Sequence, residues 1–463
     1  MKTKWFSVVC CMIFVVLLSV GCGQNDNGNA QPDASGSSDD QTTVFDDSAS
    51  DVNGEISFDG EELSILVSAG WMDNRYDTII ERFEDTYDVT VDLQTIPADQ
   101  YFDILQSKLD TGTNADIFWI QSNPFAIETT IVRPEEYCLD FTGAEWKDIM
   151  YEARKASCVH DGKLYGLQIW HNSPEYVMLY NKTVFDELGL EIPTTYDELK
   201  EVCETISAEG MTPWFIPGAD GWQHQLAFFQ IGGVYEANMP GLYDQLNINK
   251  ATFAGNETML TVLQQFKELS DLGYFGEDWI GSDSTNASND FGDRNIVMAM
   301  ANSSYIKQIK EETGTTDEFG LFLLPLADNN SFPTNPAGPT MFGYKGTSHP
   351  ELVKAFFDFV TTTESLQELL DNSPSYTNLD VNDPNLEQHW LPEEEVFMSG
   401  VKQSQMVTPV LQTGTKYTND YWMDFGADMV AYCLDQMEAN EVLENMDRNR
   451  AESAEITGDP NWN

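Results

Sequence analysis

From Leu63 to Ile120 the sequence alternates between two periods. Leu63-Ser64-Ile65-Leu66-Val67 reads as a strand, a loop runs from Ser68 to Arg75, and Tyr76, Ile79, Ile80 and Phe83 then fall on one helical stripe. A second strand, Val89-Thr90-Val91-Asp92-Leu93, follows directly. Ile104, Leu105 and Leu109 mark another helix, and Ala115 to Ile120 is an apolar strand. Strand, helix, strand, helix, strand predicts an open α/β sheet whose ligands gather outside the carboxyl ends of its strands. The loops after Val67 and Ile120 are therefore site candidates.

Downstream, Thr195 and Glu198 form a capping box after Pro193, with Leu199, Val202, Cys203 and Ile206 as the buried stripe and Gly210 at the close. A helix is expected around Met259, Leu260, Leu263 and Phe266. Strands are expected near Ile296 to Ala301 and Leu321 to Leu324, and a helix after Pro350 carries Leu352, Ala355, Phe356, Phe359 and Val360. No fixed-period repeat is visible. After Pro374 the chain reads as mixed and helical, with Trp422, Phe425, Met429 and Leu434 in its later part, and Asp447 to Asn463 is expected to fray.

Ahead of all this, Lys2 and Lys4 precede an apolar run from Trp5 to Val20 and then Gly21-Cys22. A basic start, a short apolar stretch and a small residue before the cut make residues 1–21 an export signal, and the run is too short for a membrane span. Leu17-Leu18-Ser19-Val20-Gly21-Cys22 resembles the lipobox of bacterial lipoproteins, whose commonest pattern has Leu where Ser19 stands. That resemblance implies a lipidated Cys22 as mature N-terminus, anchored to the outer face of the cell membrane; an ordinary cleaved signal with a chance cysteine is the alternative. Between Cys22 and residue 58 the chain has eight acids, no Lys or Arg, and almost nothing to bury, so it cannot offset its ordering entropy and reads as a tether. Such a coil reaches about 35 Å, and further when its acids repel.

About 400 residues remain of the 463, more than one core usually accommodates, so two lobes are expected. Losing residues 1–21 removes Lys2 and Lys4 and no acid, leaving 21 basic against 77 acidic residues and a net charge of −56. A field of that sign repels phosphate, which excludes nucleic acid as a partner, and disfavours close contact with anionic lipid. It suits a soluble surface outside the cell, leaves a salt-rich habitat open, and says little about the ligand. Of seven cysteines, Cys10 and Cys11 leave with the signal and Cys22 takes the lipid. Cys138, Cys158, Cys203 and Cys433 have no CxxC spacing and no metal-like grouping with the five histidines, so neither metal nor cofactor is expected. Cys203 reads as core, and export permits a Cys138–Cys158 bridge without fixing it.

The order of segments resembles the extracellular solute-binding proteins of bacterial ABC transporters, in particular the sugar-binding family 1, from about Glu62 to beyond Asp371. The resemblance is carried by ILVSAGW, by YDTIIERFEDTYDVTVDLQTIPADQYFDIL, by NADIFWI, and above all by YGLQIWHNSPEYVMLYNKTVFDELGLEIPTTYDELKEVCETI. Gly218-Ala219-Asp220-Gly221-Trp222 and His349-Pro350 also fit. It implies a two-lobed α/β fold of the type II periplasmic-binding-protein kind, each lobe a sheet flanked by helices. Lobe one would hold 59–175 plus 337–375, and lobe two 176–336 plus 376–463. It also implies a monomer that catches a sugar or oligosaccharide by hinge closure and delivers it to permease subunits in the membrane. No P-loop is present, so the transporter's ATPase is a separate chain.

Sugars offer hydroxyls to hydrogen-bond and C–H faces to stack, so their sites combine flat aromatics with amides, carboxylates and imidazoles. Trp71, in the first loop after a strand, and Trp222, in GADGWQHQ, are the expected stacking platforms; Trp119, inside an apolar strand, reads as core. Gln121 and Asn123 end the strand ADIFWI, where Pro124 holds Asn123 extended; the alternative is that they cap their own loop. Asn172 and Glu175, with His171, lie near the expected first crossing. His224 could complete a polar rim with Gln223, although a lone His is more often structural. The family resemblance adds Asn302 and Tyr305 in ANSSY, and more weakly Tyr376 and Trp422.

Competing functions are an exported glycoside hydrolase, the same fold holding a peptide, polyamine or cation, and an adhesin or signalling ectodomain. The hydrolase needs two carboxylates at a set separation, which adjacency in so acidic a sequence cannot establish. There is no G-x-S-x-G and no H-E-x-x-H. Polyamine and metal sites need converging carboxylates, whereas the candidate loops hold mostly aromatics and amides.

Overall fold

The computed structural model describes residues 57–462, except 73, 124, 126–132, 172, 220, 336, 374–375 and 402–406. The export signal, Cys22 and all but the last two residues of the acidic tether lie outside the described residues, as does Asn172. In chain order, the strands of the two main sheets are β1 (Glu62–Ser68), β2 (Thr90–Ile96), β3 (Ile117–Ser122), β4 (Gly166–Leu167), β5 (Val177–Asn181), β6 (Thr212–Phe215), β7 (Ile296–Ala301), β8 (Phe319–Phe322) and β9 (Gly338–Gly343). The first sheet has the order β2-β1-β3-β9-β4 and the second β8-β5-β7-β6. β1 runs parallel to β2 and β3, while β9 is antiparallel to β3 and β4. In the second sheet β6 is parallel to β7, and β5 is antiparallel to β7 and β8.

Both sheets are buried on both faces, which is why their strands read as apolar runs rather than clean alternations. Ile117 and Trp119 of β3 point into a core with Leu63, Phe83 and Phe356, while Phe118 and Ile120 point the other way, toward Tyr101 and Leu105. β5 repeats the division: Met178 and Tyr180 enter a large core with Trp214, Phe266 and Phe425, and Val177 and Leu179 enter a smaller one with Phe291 and Phe319. The helix Tyr196–Ala208 has the expected capping box. Thr195 Oγ1 accepts from the Glu198 N–H, and Glu198 Oε2 accepts from the Thr194 and Thr195 N–H groups. Met259, Val262, Leu263 and Phe266 are buried along the helix Glu257–Asp271.

Two expectations need correction, and the bridge left open between Cys138 and Cys158 is decided. Residues 376–386, expected with lobe two, pack against the first core through Tyr376, Leu379, Val381 and Leu386. A bridge between Met150 and Val381 and a hydrogen bond from the Asn382 N–H to the Ile149 carbonyl (2.7 Å) hold them there. Of the segment expected to fray, residues 447–457 lie in the helix Ala439–Thr457. Its Arg450 is fully buried, donating to the carbonyls of Lys416 and Leu246 (both 3.0 Å), and Asp447 accepts from the Phe253 and Ala254 N–H groups. Cys138 and Cys158 are free, buried and in different cores, and burial pushes both thiols far up.

Candidate functional site

The parallel run of β1, β2 and β3 sends the loops after all three out of one sheet edge, and β9 begins and β4 ends at that edge. Trp71 sits there, its N–H closing a turn on the Ser68 carbonyl (3.2 Å). Its half-buried ring meets Tyr101 and Phe102 edge-on, with centroids 5.3 and 6.1 Å away. The Tyr101 hydroxyl donates to the Trp119 carbonyl (2.6 Å) and accepts from the Trp119 N–H (3.1 Å), which pins the helix Ala98–Thr111 over the ends of the strands. Trp119 itself is core. Gln121 is half-buried opposite Pro339, and Asn123 is buried with its Oδ1 accepting from the Phe125 N–H (2.8 Å), so that oxygen caps its own turn.

Three segments carry the chain between the sheets: 168–176, 323–337 and the stretch following Leu386. Glu175, half-buried in the first, accepts from Trp170 Nε1 (3.2 Å) and from Asn335 Nδ2 of the second (2.9 Å), with His171 Nε2 3.2 Å away. Tyr376 packs against this group, its ring edge-on to Trp170 at 5.2 Å and tilted to His171 at 5.0 Å, and the buried Arg75 guanidinium lies 4.3 Å over the same ring. Burial pushes the His171 imidazolium below its usual range, and Glu175 only partly offsets it. A hydroxyl and amide cluster closes the junction. Ser173 Oγ lies 2.8 Å from Thr377 Oγ1, Asn378 Nδ2 donates to Ser173 Oγ (2.7 Å), and the fully buried Glu394 accepts from Thr377 (2.9 Å) and Ser303 (2.5 Å).

At the second sheet, the parallel β6 and β7 end where the antiparallel β5 begins. Tyr176, at φ +48°, donates its N–H to Asn302 Oδ1 (3.3 Å), and the Ser303 N–H bonds the Pro174 carbonyl (2.9 Å). Asn302 therefore holds the crossing in a left-handed turn that a non-glycine residue adopts only at a cost. Tyr176 meets Trp222 edge-on at 5.9 Å, and Trp222 meets Trp422 at 6.2 Å. Gly426 lets the helix Trp422–Cys433 approach, since a Cβ there would lie 2.7 Å from the Gly221 carbonyl.

The structure thus brings Trp222, Glu175 and Asn302 together beside Tyr176, and sets Trp71 at the edge of the first sheet. Two sequence candidates lie elsewhere. His224 is fully buried between Trp279 (5.2 Å) and Phe266 (5.9 Å), so it belongs to the core and not to a rim. Tyr305 packs on Phe291 and bonds Ser288 (3.0 Å), on the face of the second sheet opposite Trp222, because the helix it starts turns under that face.

Arg75, Arg154, Asn335 and Glu394 escaped the sequence reading. Buried Arg154 donates to Asp380 (2.9 Å), Gln168 (3.2 Å) and the carbonyls of His171 (2.9 Å), Asn335 and Ala337 (both 3.1 Å), joining two crossings to the first lobe. Arginine is scarce in a chain with 23 basic residues; one placed in or near a site loop was the available signal.

The family model of bacterial extracellular solute-binding proteins matches residues 69–367. Among curated proteins, the multiple sugar-binding protein of Streptococcus mutans is 27% identical over 243 residues, 47% of this chain and 57% of that protein. The chain therefore spans little more than half the length of that relative. Among solved structures, a sugar transporter protein of Bacillus licheniformis in complex with stachyose superposes with a TM-score of 0.69 at 15% identity, covering 84% of this chain and all of that one. RafE in complex with raffinose gives 0.67 at 20% identity, covering 84% and 99%. At these identities the two structures establish the fold, a two-lobed α/β architecture.

Proposed function

The chain belongs to the bacterial extracellular solute-binding proteins, and on that premise we propose that it captures a neutral sugar or oligosaccharide between its two lobes and delivers it to an ABC permease. The observation that carries this reading is the composition of the junction. Indole and phenol rings from both lobes stand beside Glu175, Asn302 and Asn335, and the carboxylates there are engaged by hydrogen bonds within the protein, Glu394 by Ser303 and Thr377. Glu175 is held by Trp170, His171 and Asn335, and Asp380 by Arg154. A polyamine or cation would require carboxylates converging on open space, and a sugar requires ring faces and neutral donors and acceptors.

Closure would be a hinge motion about the three crossings, driven by contacts that the sugar makes to both lobes at once. Cys22 would carry the lipid and residues 23–58 the reach. The test is a thermal-shift screen of residues 59–463 against mono- and oligosaccharides, with peptides and polyamines as controls. Ligand at 100 times its Kd adds about 2.7 kcal/mol. Stabilisation by a sugar with none by the controls supports the reading; stabilisation by a polyamine or peptide alone, or release of reducing ends from a glycan, overturns it.

A further inference from the structure

Phe102 is a large apolar side chain left 43% exposed on the helix Ala98–Thr111, although the neighbouring Tyr101 and Leu105 are buried. The helix that carries it is tied to the sheet. The helix begins at the end of β2, Tyr101 clamps it to the strands through both bonds to Trp119, and the Phe102 ring lies 5.6 Å from Tyr101 and 6.1 Å from Trp71. Trp71, Tyr101 and Phe102 thus form a chain of edge-on rings leading from the buried end of the first sheet to solvent. A phenyl ring with only two side-chain torsions loses little conformational entropy when it is covered, which suits a stacking platform better than a long flexible side chain does.

We propose that Phe102 forms an outer stacking subsite beyond Trp71, so that the preferred ligand is an oligosaccharide whose second or later ring covers Phe102. This rests on the sugar-binding reading above and goes further by assigning ligand length. The Trp71 and Phe102 rings are one centroid spacing of 6.1 Å apart at a tilt of 68°, so they offer two differently oriented faces, suited to successive rings turned about a glycosidic bond. Lobe one then reads the extension of the glycan, while the junction at Glu175 and Trp222 reads its inner unit.

The experiment is isothermal titration of the full folded chain with a homologous series, from a monosaccharide to a tetrasaccharide, for wild type, Phe102→Ala and Phe102→Tyr. Because Phe102 is exposed and sits in a helix, alanine leaves the fold intact, which circular dichroism checks. The expected result is that wild-type affinity rises from the shortest bound sugar to the longer ones. Phe102→Ala loses about tenfold for the longer sugars and nothing for the shortest, and Phe102→Tyr restores the loss. Equal loss at every length, or no loss at any, overturns the outer subsite while leaving sugar binding intact. Absence of binding by every member to wild type overturns both.

Discussion

At the edge of the first sheet, Trp71 leans on Tyr101 and Phe102, residues of a helix that follows soon after it in sequence. At the edge of the second, Trp222 stands between Tyr176 of a crossing and Trp422 from near the chain's far end. The first platform is assembled locally and keeps a ring open to solvent; the second is braced by segments that come together only when the whole chain has folded. The two edges therefore share a chemistry and differ in how their geometry is secured.

The buried arginines test that contrast with the largest effects. Arg154 bonds five acceptors across two crossings and the first lobe, whereas Arg450 bonds two carbonyls and lies over Phe253 (5.2 Å) and Trp462 (5.0 Å), away from the crossings. Arg154→Met strands Asp380 and several carbonyls and should cost about 3–5 kcal/mol in urea unfolding, with loss of sugar affinity. Arg450→Met should cost about 2–3 kcal/mol and leave affinity unchanged. Equal loss of affinity in both variants would show that the crossings are not distinct from the rest of the framework.

Much of the scaffold was legible because the deciding interactions are local. The alternation from Leu63 to Ile120, the Thr195 capping box and the helix begun by Pro350 each depend on residues within a few positions. The placement of Trp71 in the loop after the first strand and of Glu175 at the first crossing was legible, because both follow from the order of the elements. The candidate site was not legible where distant segments decide the outcome. His224 has the composition of a rim residue, and only the packing of Phe266 and Trp279 around it places it in the core. Glu394 gains its surroundings from Ser173 and Ser303, far away in sequence.

His224 gives the next effect, confined to the second lobe. Burial pushes its imidazolium down to about 4 from an ordinary 6.5, and a contact with the Gly221 backbone only partly opposes this. The unfolded chain thus takes up a proton that the folded chain refuses. Stability is complete above pH 6.5 and falls as the pH drops toward 4, by on the order of 3 kcal/mol. His224→Leu, which fills the apolar space, should flatten that acid limb without changing sugar affinity. If affinity falls while the acid limb is unchanged, the residue belongs to the site after all.

Affinity separates the two edges more directly. Trp222, fixed on two sides, should be the stronger anchor, with Trp222→Ala costing about 2 kcal/mol, roughly thirtyfold in Kd. Trp71→Ala should cost about 1 kcal/mol. The reverse ranking by titration calorimetry would mean that local bracing is sufficient and the distant Trp422 contributes nothing.

The smallest effect falls at the junction, where neither edge dominates. Glu394 is fully buried without a cation partner among the described residues; burial raises its carboxyl, and bonds from Ser303, the Leu391 N–H and Thr377 pull it back only in part. Because its folded value lies above the ordinary 4.5, the protonated form fits the fold better. Stability is highest below that value and declines as the pH rises through it. Glu394→Gln keeps the shape and removes the titration, so the variant should gain on wild type as the pH rises above about 4.5, measured as the difference in Tm across a pH series. A constant difference would mean that the hydroxyls of Ser303 and Thr377 stabilise the carboxylate as well as water does, and that the junction is rigid by hydrogen bonding rather than by charge exclusion. A growing difference would place the cost of an uncompensated charge where the three crossings meet. That position is one where a modest penalty could bias the two lobes between arrangements, since Glu394 bonds both Ser303 beside the second sheet and Thr377 against the first core.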